Sequence, residues 1–227
     1  DPRAIPLLMK TLERNSDTVG GEVFALADFK HKPAVPILVS RLGKVESTVF
    51  GDGNDALLDA LLKIKDPSAA PGIEKFMQTK NGQKLQATAK RVLVQLTAID
   101  PVPELLAMLD LERDDFECCD LIKDLANYGG DEVRERFQNI ATQSKSFYQR
   151  RQAMFGLGNM GDRQSLLILT TLLEHKLPKN IEGGWKVSNH QLEFEQTIEQ
   201  ILQEKSRKNF GRDRAKWERW INENVKS

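Results

Sequence analysis

Asp1-Pro2-Arg3-Ala4-Ile5-Pro6-Leu7-Leu8 is the first of four related phrases. The others are Lys32-Pro33-Ala34-Val35-Pro36-Ile37-Leu38, Asp66-Pro67-Ser68-Ala69-Ala70-Pro71-Gly72-Ile73 and Asp100-Pro101-Val102-Pro103-Glu104-Leu105. Their second prolines, Pro6, Pro36, Pro71 and Pro103, stand 30, 35 and 32 residues apart. Aligned on them, the apolar residues fall into columns: Ile5, Val35, Ala70, Val102; then Leu8, Leu38, Ile73, Leu105; then Leu12, Leu42, Met77, Leu109. Positions i, i+3 and i+7 share one face of a helix. Asp is a good N-cap, and proline at the first helical position loses no needed hydrogen bond. The second proline falls near the end of the first turn, where a missing N–H costs little or bends the helix slightly.

Two further units follow without the prolines. Asp131 opens one, with Val133, Phe137 and Ile140; Asp162 opens the other, with Leu166, Leu169 and Leu173. Each opening helix is followed by a second apolar-periodic run, such as Leu57-Leu58-Leu61-Leu62, Leu121-Ile122-Leu125-Ala126 or Ile198-Ile201-Leu202. No stretch alternates with period two. The expected fold is all-α: an α-solenoid of about six helix pairs over residues 1–206, with residues 207–227 as a C-terminal capping helix of the same domain. In the last segment, Gly211-Arg212-Asp213 precedes Trp217 and Trp220, which share a helix face suited to covering a terminal repeat.

The pattern resembles HEAT repeats, in particular the short bacterial type also found in phycobilisome lyase-related proteins. Arg151-Gln152-Ala153-Met154-Phe155-Gly156-Leu157-Gly158-Asn159-Met160-Gly161-Asp162 is similar to the ending of that repeat. The Gly-x-Asp…Trp-x-x-Trp tail resembles an ending of bacterial HEAT-like proteins. The resemblance implies a scaffold or binding module. One enzymatic branch of HEAT folds, deoxyhypusine hydroxylase, holds di-iron through His-Glu pairs, but here no histidine is followed by glutamate.

Chemical signatures read mostly as structure. Gly156-Leu157-Gly158-Asn159-Met160-Gly161 fits G-x-G-x-x-G, yet a helix rather than a strand precedes it, so it reads as a helix stop and not a dinucleotide loop. His31, His175 and His190 have no metal-site spacing, and Asp52-Gly53-Asn54-Asp55 lacks the glutamate of a calcium loop. Cys118 and Cys119 are adjacent and read as small core residues. No cofactor or metal is expected.

Lys+Arg and Asp+Glu both total 33, so the net charge is zero, which argues against a dedicated nucleic-acid binder. Basic residues do gather at Lys205, Arg207, Lys208, Arg212, Arg214, Lys216 and Arg219. An expanded loop between Leu173 and Leu192 carries Trp185 flanked by Gly183-Gly184 and Lys186, which reads as a contact anchor or as cover for the last repeat.

The functional expectation is a non-catalytic scaffold, not an enzyme, that binds a peptide or protein on a concave face lined by second helices. Its candidate contacts are Tyr148, Arg150, Arg151, Trp185, Arg214 and Trp217. Two alternatives are a lyase-type HEAT enzyme acting on a tetrapyrrole and a nucleic-acid binding module. A monomer without a membrane span is expected. The cytoplasm is favoured as compartment, with periplasm or secretion open if a leader preceded Asp1. The broad apolar arc of Ile5, Leu7, Leu8, Met9 and Leu12 also raises the expectation of repeats or a leader before it.

Overall fold

The prolines dictate how the first helices start. In a computed structural model describing residues 1–14, 18–45, 52–178, 180–182 and 189–226, Pro2–Ala4, Lys32–Ala34 and Pro67–Ala69 are single three-ten turns. The α-helices proper are α1 (Ile5–Arg14), α3 (Val35–Arg41) and α5 (Ala70–Met77). Pro6, Pro36 and Pro71 have no N–H to reach the carbonyl four residues back. In each case the preceding residue donates to that carbonyl instead: Ile5 to Pro2, Val35 to Lys32 and Ala70 to Pro67. An i-to-i−3 bond is the three-ten pattern. The expected slight bend is therefore a change of helix type. Asp1 and Asp66 cap these turns through the N–H groups of Arg3 and Ser68.

The chain forms two compact units, Asp1–Pro101 and Val102–Ser227. In the first, α1 pairs with α2 (Gly21–Asp28), α3 with α4 (Gly53–Ile64), and α5 with α7 (Gln86–Thr97). The second helices touch in sequence, α2 on α4 and α4 on α7, so each pair buries its apolar stripe on its neighbour. Leu12, Leu26, Leu38, Leu57, Leu61, Ile73 and Val92 are fully buried between them. A short helix, α6 (Lys80–Lys84), lies between α5 and α7. It lies so close that a β-carbon on Gly82 would fall 1.9 Å from the Phe76 carbonyl oxygen.

The second unit holds α8 (Val102–Leu111) with α9 (Asp115–Ala126), α10 (Asp131–Gln143) with α11 (Phe147–Met160), and α12 (Arg163–Leu172) with α13 (His190–Ser206). Here α11 packs on both α9 and α13. Asp114, Ser146, Asp162 and Asn189 each accept a first-turn N–H and set the helix starts. At α10 the cap position belongs to Gly130, with φ +96°, and Asp131 is the first helical residue. A last helix, α14 (Arg214–Asn224), packs on α12. Each unit is thus an all-α, solenoid-like stack, and 14 α-helices are present among the described residues. The single isolated β-bridge among them joins Ser146 to Glu182 of the α12–α13 insertion.

The ending Gly211-Arg212-Asp213…Trp217 has a physical explanation. Gly211 turns the chain at φ +53°, Asp213 caps α14 through the Lys216 N–H, and the Gly211 carbonyl accepts the Trp217 indole N–H at 2.7 Å. Trp217 is fully buried, with Phe210 edge-on at 4.7 Å.

Buried arginines tie helix ends together. The Arg150 guanidinium, 1% exposed, donates to the carbonyls of Ser144 (2.6 Å) and Ala141 (2.8 Å) at the end of α10. Arg41 does the same for the Leu12 carbonyl in α1. These carbonyls have no partner within their own helix.

Candidate functional site

The glycine motif can be settled from packing. Gly156 and Gly158 lie inside α11. A β-carbon on Gly156 would sit 2.5 Å from the Phe137 ring of α10, and one on Gly158 would sit 2.4 Å from Ile201 of α13. Gly161 is the left-handed C-cap, with φ +64°. The expected helix stop is thus Gly161 alone, while the other two glycines let neighbouring helices approach. All three glycines serve the α11 scaffold.

Flanked by these two close contacts lies the exposed face of α11, beside those of α9 and α13. The starts of α9, α11 and α13 are held in register. Asp115 at the start of α9 accepts the Ser146 hydroxyl (2.9 Å) and the Gln149 amide (2.8 Å) at the start of α11. Phe147, the first residue of α11, stacks on His190, the first residue of α13, with centroids 5.0 Å apart. The first turns of the three helices therefore present a row of outward residues: Phe116 (79% exposed), Tyr148 (half-buried) and Leu192 (40% exposed). One turn further along α11, the Arg151 guanidinium lies 5.4 Å over the half-buried Phe155 ring. Lys123 is exposed and Cys119 half-exposed on α9. The combination of aromatic and aliphatic anchors with an arginine is that of an interaction surface.

Of the residues expected from sequence, Tyr148 and Arg151 belong to this row. Two need correction. Arg150 points inward and its guanidinium is taken up by carbonyls, and Trp217 is fully buried on α14, so neither side chain can meet a partner. Arg214 lies elsewhere, on α14, and pairs with Glu174 (2.5 Å) and Glu218 (2.6 Å). Trp185 lies outside the described residues. Sequence reasoning passed over Phe116, Phe155 and Leu192. The available signal was their position off the buried stripe of each second helix.

Three of the seven basic residues of the terminal cluster, Arg212, Arg214 and Lys216, pair with acids. Arg212 bridges Glu195 and Glu199, and Lys216 pairs with Asp213 at 3.0 Å. These pairs reduce the positive charge that the cluster offers to phosphates. Burial, joined by neighbouring acids such as Glu112 and Asp115, pushes the Cys118 thiol up to about 11; burial, with Asp115 and the other thiol, pushes Cys119 up to about 12. Both stay protonated at neutral pH, the opposite of an activated nucleophile. Among the described residues no group of three His, Cys, Asp or Glu side chains could hold a metal ion. No helix there is long and apolar enough to cross a membrane. A groove of about 650 Å³ between α10, α12 and α14 is lined by Leu167, Ile168 and Thr171 with Glu135, Gln164 and Asn222.

Residues 149–175, spanning most of α11 and all of α12, match the family model of the PBS lyase HEAT-like repeat. The match thus joins the second helix of one pair to the first helix of the next, with the three packing and capping glycines inside it. No curated protein and no solved structure matches the chain.

Proposed function

We propose that this chain, which carries a PBS lyase HEAT-like repeat at residues 149–175, works as a non-catalytic scaffold that docks a peptide or protein segment across the second-helix face of its C-terminal unit. The observation that carries this reading is the in-register row of Phe116, Tyr148 and Leu192, with Arg151 over Phe155 beside it. Large apolar side chains held open to water on a rigid helical layer cost solubility and contribute little to folding. A partner's side chains would recover that area at about 25 cal/mol per Å². The row crosses three parallel helices, which suits a segment lying transverse to them better than a small molecule, whose usual site is a deep enclosed pocket.

The test is a selection of displayed peptides against the immobilised full chain, followed by titration of the winners on variants. Phe116→Ser and Leu192→Ser should each weaken binding by about tenfold or more, the effect of removing an anchor worth about 1.4–2 kcal/mol. Arg151→Glu should reverse any preference for acidic peptides, while far-UV circular dichroism stays unchanged. Ligands that ignore all three substitutions but respond to Glu135→Lys in the α10–α12–α14 groove would refute this face as the docking surface.

A further inference from the structure

A second row runs beside the apolar one. Gln152 follows Tyr148 by four residues on α11, and Gln196 follows Leu192 by four on α13. Residues so spaced share a helix face and stand about 6 Å apart along the axis. Gln152 is half-buried and Gln196 exposed, and neither side chain has a hydrogen-bond partner among the described residues. On α9 the corresponding position is Asp120, which is already engaged. The face therefore offers apolar anchors in one line and free amides in a parallel line one turn away.

We propose that the segment docked on this face is acidic and extended, in the polyproline-II form, with an apolar side chain at every third position. The inference rests on the second-helix face being the docking surface and adds what occupies it. Spacing and hydrogen bonding carry the extended form. Helix α11 packs directly on α9 and on α13, and packed helices lie about 8–10 Å apart, so the anchors recur at about that interval. A polyproline-II chain returns to the same side every third residue, about 9.3 Å on. A β-strand returns every second residue, after about 6.8 Å, and falls out of step with the row. An α-helix returns after seven residues, about 10.5 Å, but its backbone groups are already bonded to one another. A polyproline-II backbone has no internal hydrogen bonds, so its carbonyls and N–H groups are open to Gln152 and Gln196, whose amides both donate and accept. Aromatic-lined surfaces also suit such segments.

Charge carries the acidic character. Lys123 of α9 and Arg151 of α11 are exposed on this face, and neither forms an ion pair with a described residue. The Arg151 guanidinium lies over the Phe155 ring, which leaves its N–H groups free to donate to a carboxylate. The acids on these helices offer less: Glu117 and Asp120 have partners of their own, Glu199 pairs with Arg212, and one carboxylate oxygen of Glu193 is buried.

The test measures fluorescence anisotropy of three labelled synthetic peptides with the full chain. One has four Leu-Pro-Glu repeats, the second four Leu-Pro-Lys repeats, and the third is an alanine-rich helix with leucine at every seventh position and the same number of glutamates. The Leu-Pro-Glu peptide should bind at least about tenfold tighter than either of the others. Gln152→Ala combined with Gln196→Ala should weaken it by about tenfold, the effect of two lost hydrogen bonds. Lys123→Glu combined with Arg151→Glu should reverse the preference between the glutamate and lysine peptides. Equal binding by the helical peptide, or glutamine variants without effect, would overturn the extended form, and equal binding by the lysine peptide would overturn the acidic character. In these cases a loss of binding in Phe116→Ser leaves the docking face itself standing. Failure of the Leu-Pro-Glu peptide to bind, where displayed peptides bind through Phe116, would likewise sink the inference alone. A Leu-Pro-Glu peptide that binds but ignores Phe116→Ser and Leu192→Ser would remove the face and the inference together.

Discussion

Gly156→Ala sets two ordinary effects of opposite sign against each other. In a helix interior, alanine is better than glycine by about 0.5–1 kcal/mol, so the substitution should stabilise α11 if nothing stood in the way. What stands in the way is Phe137, fully buried, with three ring carbons 2.5, 2.8 and 3.2 Å from where the new methyl would sit. Comfortable carbon–carbon contact begins at about 3.5 Å, so α10 and α11 must part by about 1 Å or the ring must leave its well. Overpacking of this kind costs about 1–3 kcal/mol, which outweighs the gain in helix propensity. The net expectation is a loss of about 1–2 kcal/mol, or about 2–8 °C in melting temperature for a chain of this size. Urea unfolding of wild type, Gly156→Ala, Phe137→Leu and the double variant forms a cycle. Phe137→Leu costs stability alone but frees space at the ring edge, so the double variant should be more stable than the sum of the singles by about 1 kcal/mol. Gly156→Ala at or above wild-type stability would refute the close-approach account of the motif.

Two other substitutions test the cap and the repeat junction. Trp217→Ala removes the largest fully buried side chain and its bond to Gly211, and should cost about 3–5 kcal/mol in chemical denaturation; a change under about 1 kcal/mol would show that α14 does not close the last repeat. Burial alone would raise the Asp162 carboxyl, but bonds from the Ser165 hydroxyl (2.6 Å) and N–H (3.1 Å), with Arg134 at 3.2 Å, hold it below the ordinary carboxylate range. Its contribution is therefore complete above about pH 4 and is lost as pH falls below that. Asp162→Asn should flatten this part of the stability–pH curve, and an unaltered curve would contradict the assignment.

The first helices were legible because proline and aspartate punctuate them, and the second helices because leucine and isoleucine recur with helical period. What escaped was decided by angle and depth. Arg150 and Arg151 are adjacent and chemically identical, but the 100° between neighbours on α11 sends one into the core and leaves the other on the surface. Trp217 and Trp220 share a face in the sequence pattern, but only the first, with Phe210 edge-on against it, is fully buried. Phe116 drew no attention because its helix was read from Leu121 onward, and α6 was invisible because Lys80–Lys84 is short and polar. The Asp115–Ser146–Gln149 network that holds the starts of α9 and α11 together joins residues about 30 apart, and no local pattern reports it.

Similarly patterned helix pairs in tandem invite slippage, since one pair's apolar stripe can zip onto the wrong neighbour or fuse with the preceding helix into one long rod. The three-ten turns ahead of α1, α3 and α5 guard against the second error. A chain arriving in helical form would meet Pro6, Pro36 or Pro71 with a carbonyl that no amide four residues on can reach, and the run would break there. Each module is thereby obliged to begin afresh at its own doorway, whatever its neighbours have already done. Replacing those prolines by alanine would leave nearly every buried contact in place and remove only this phasing.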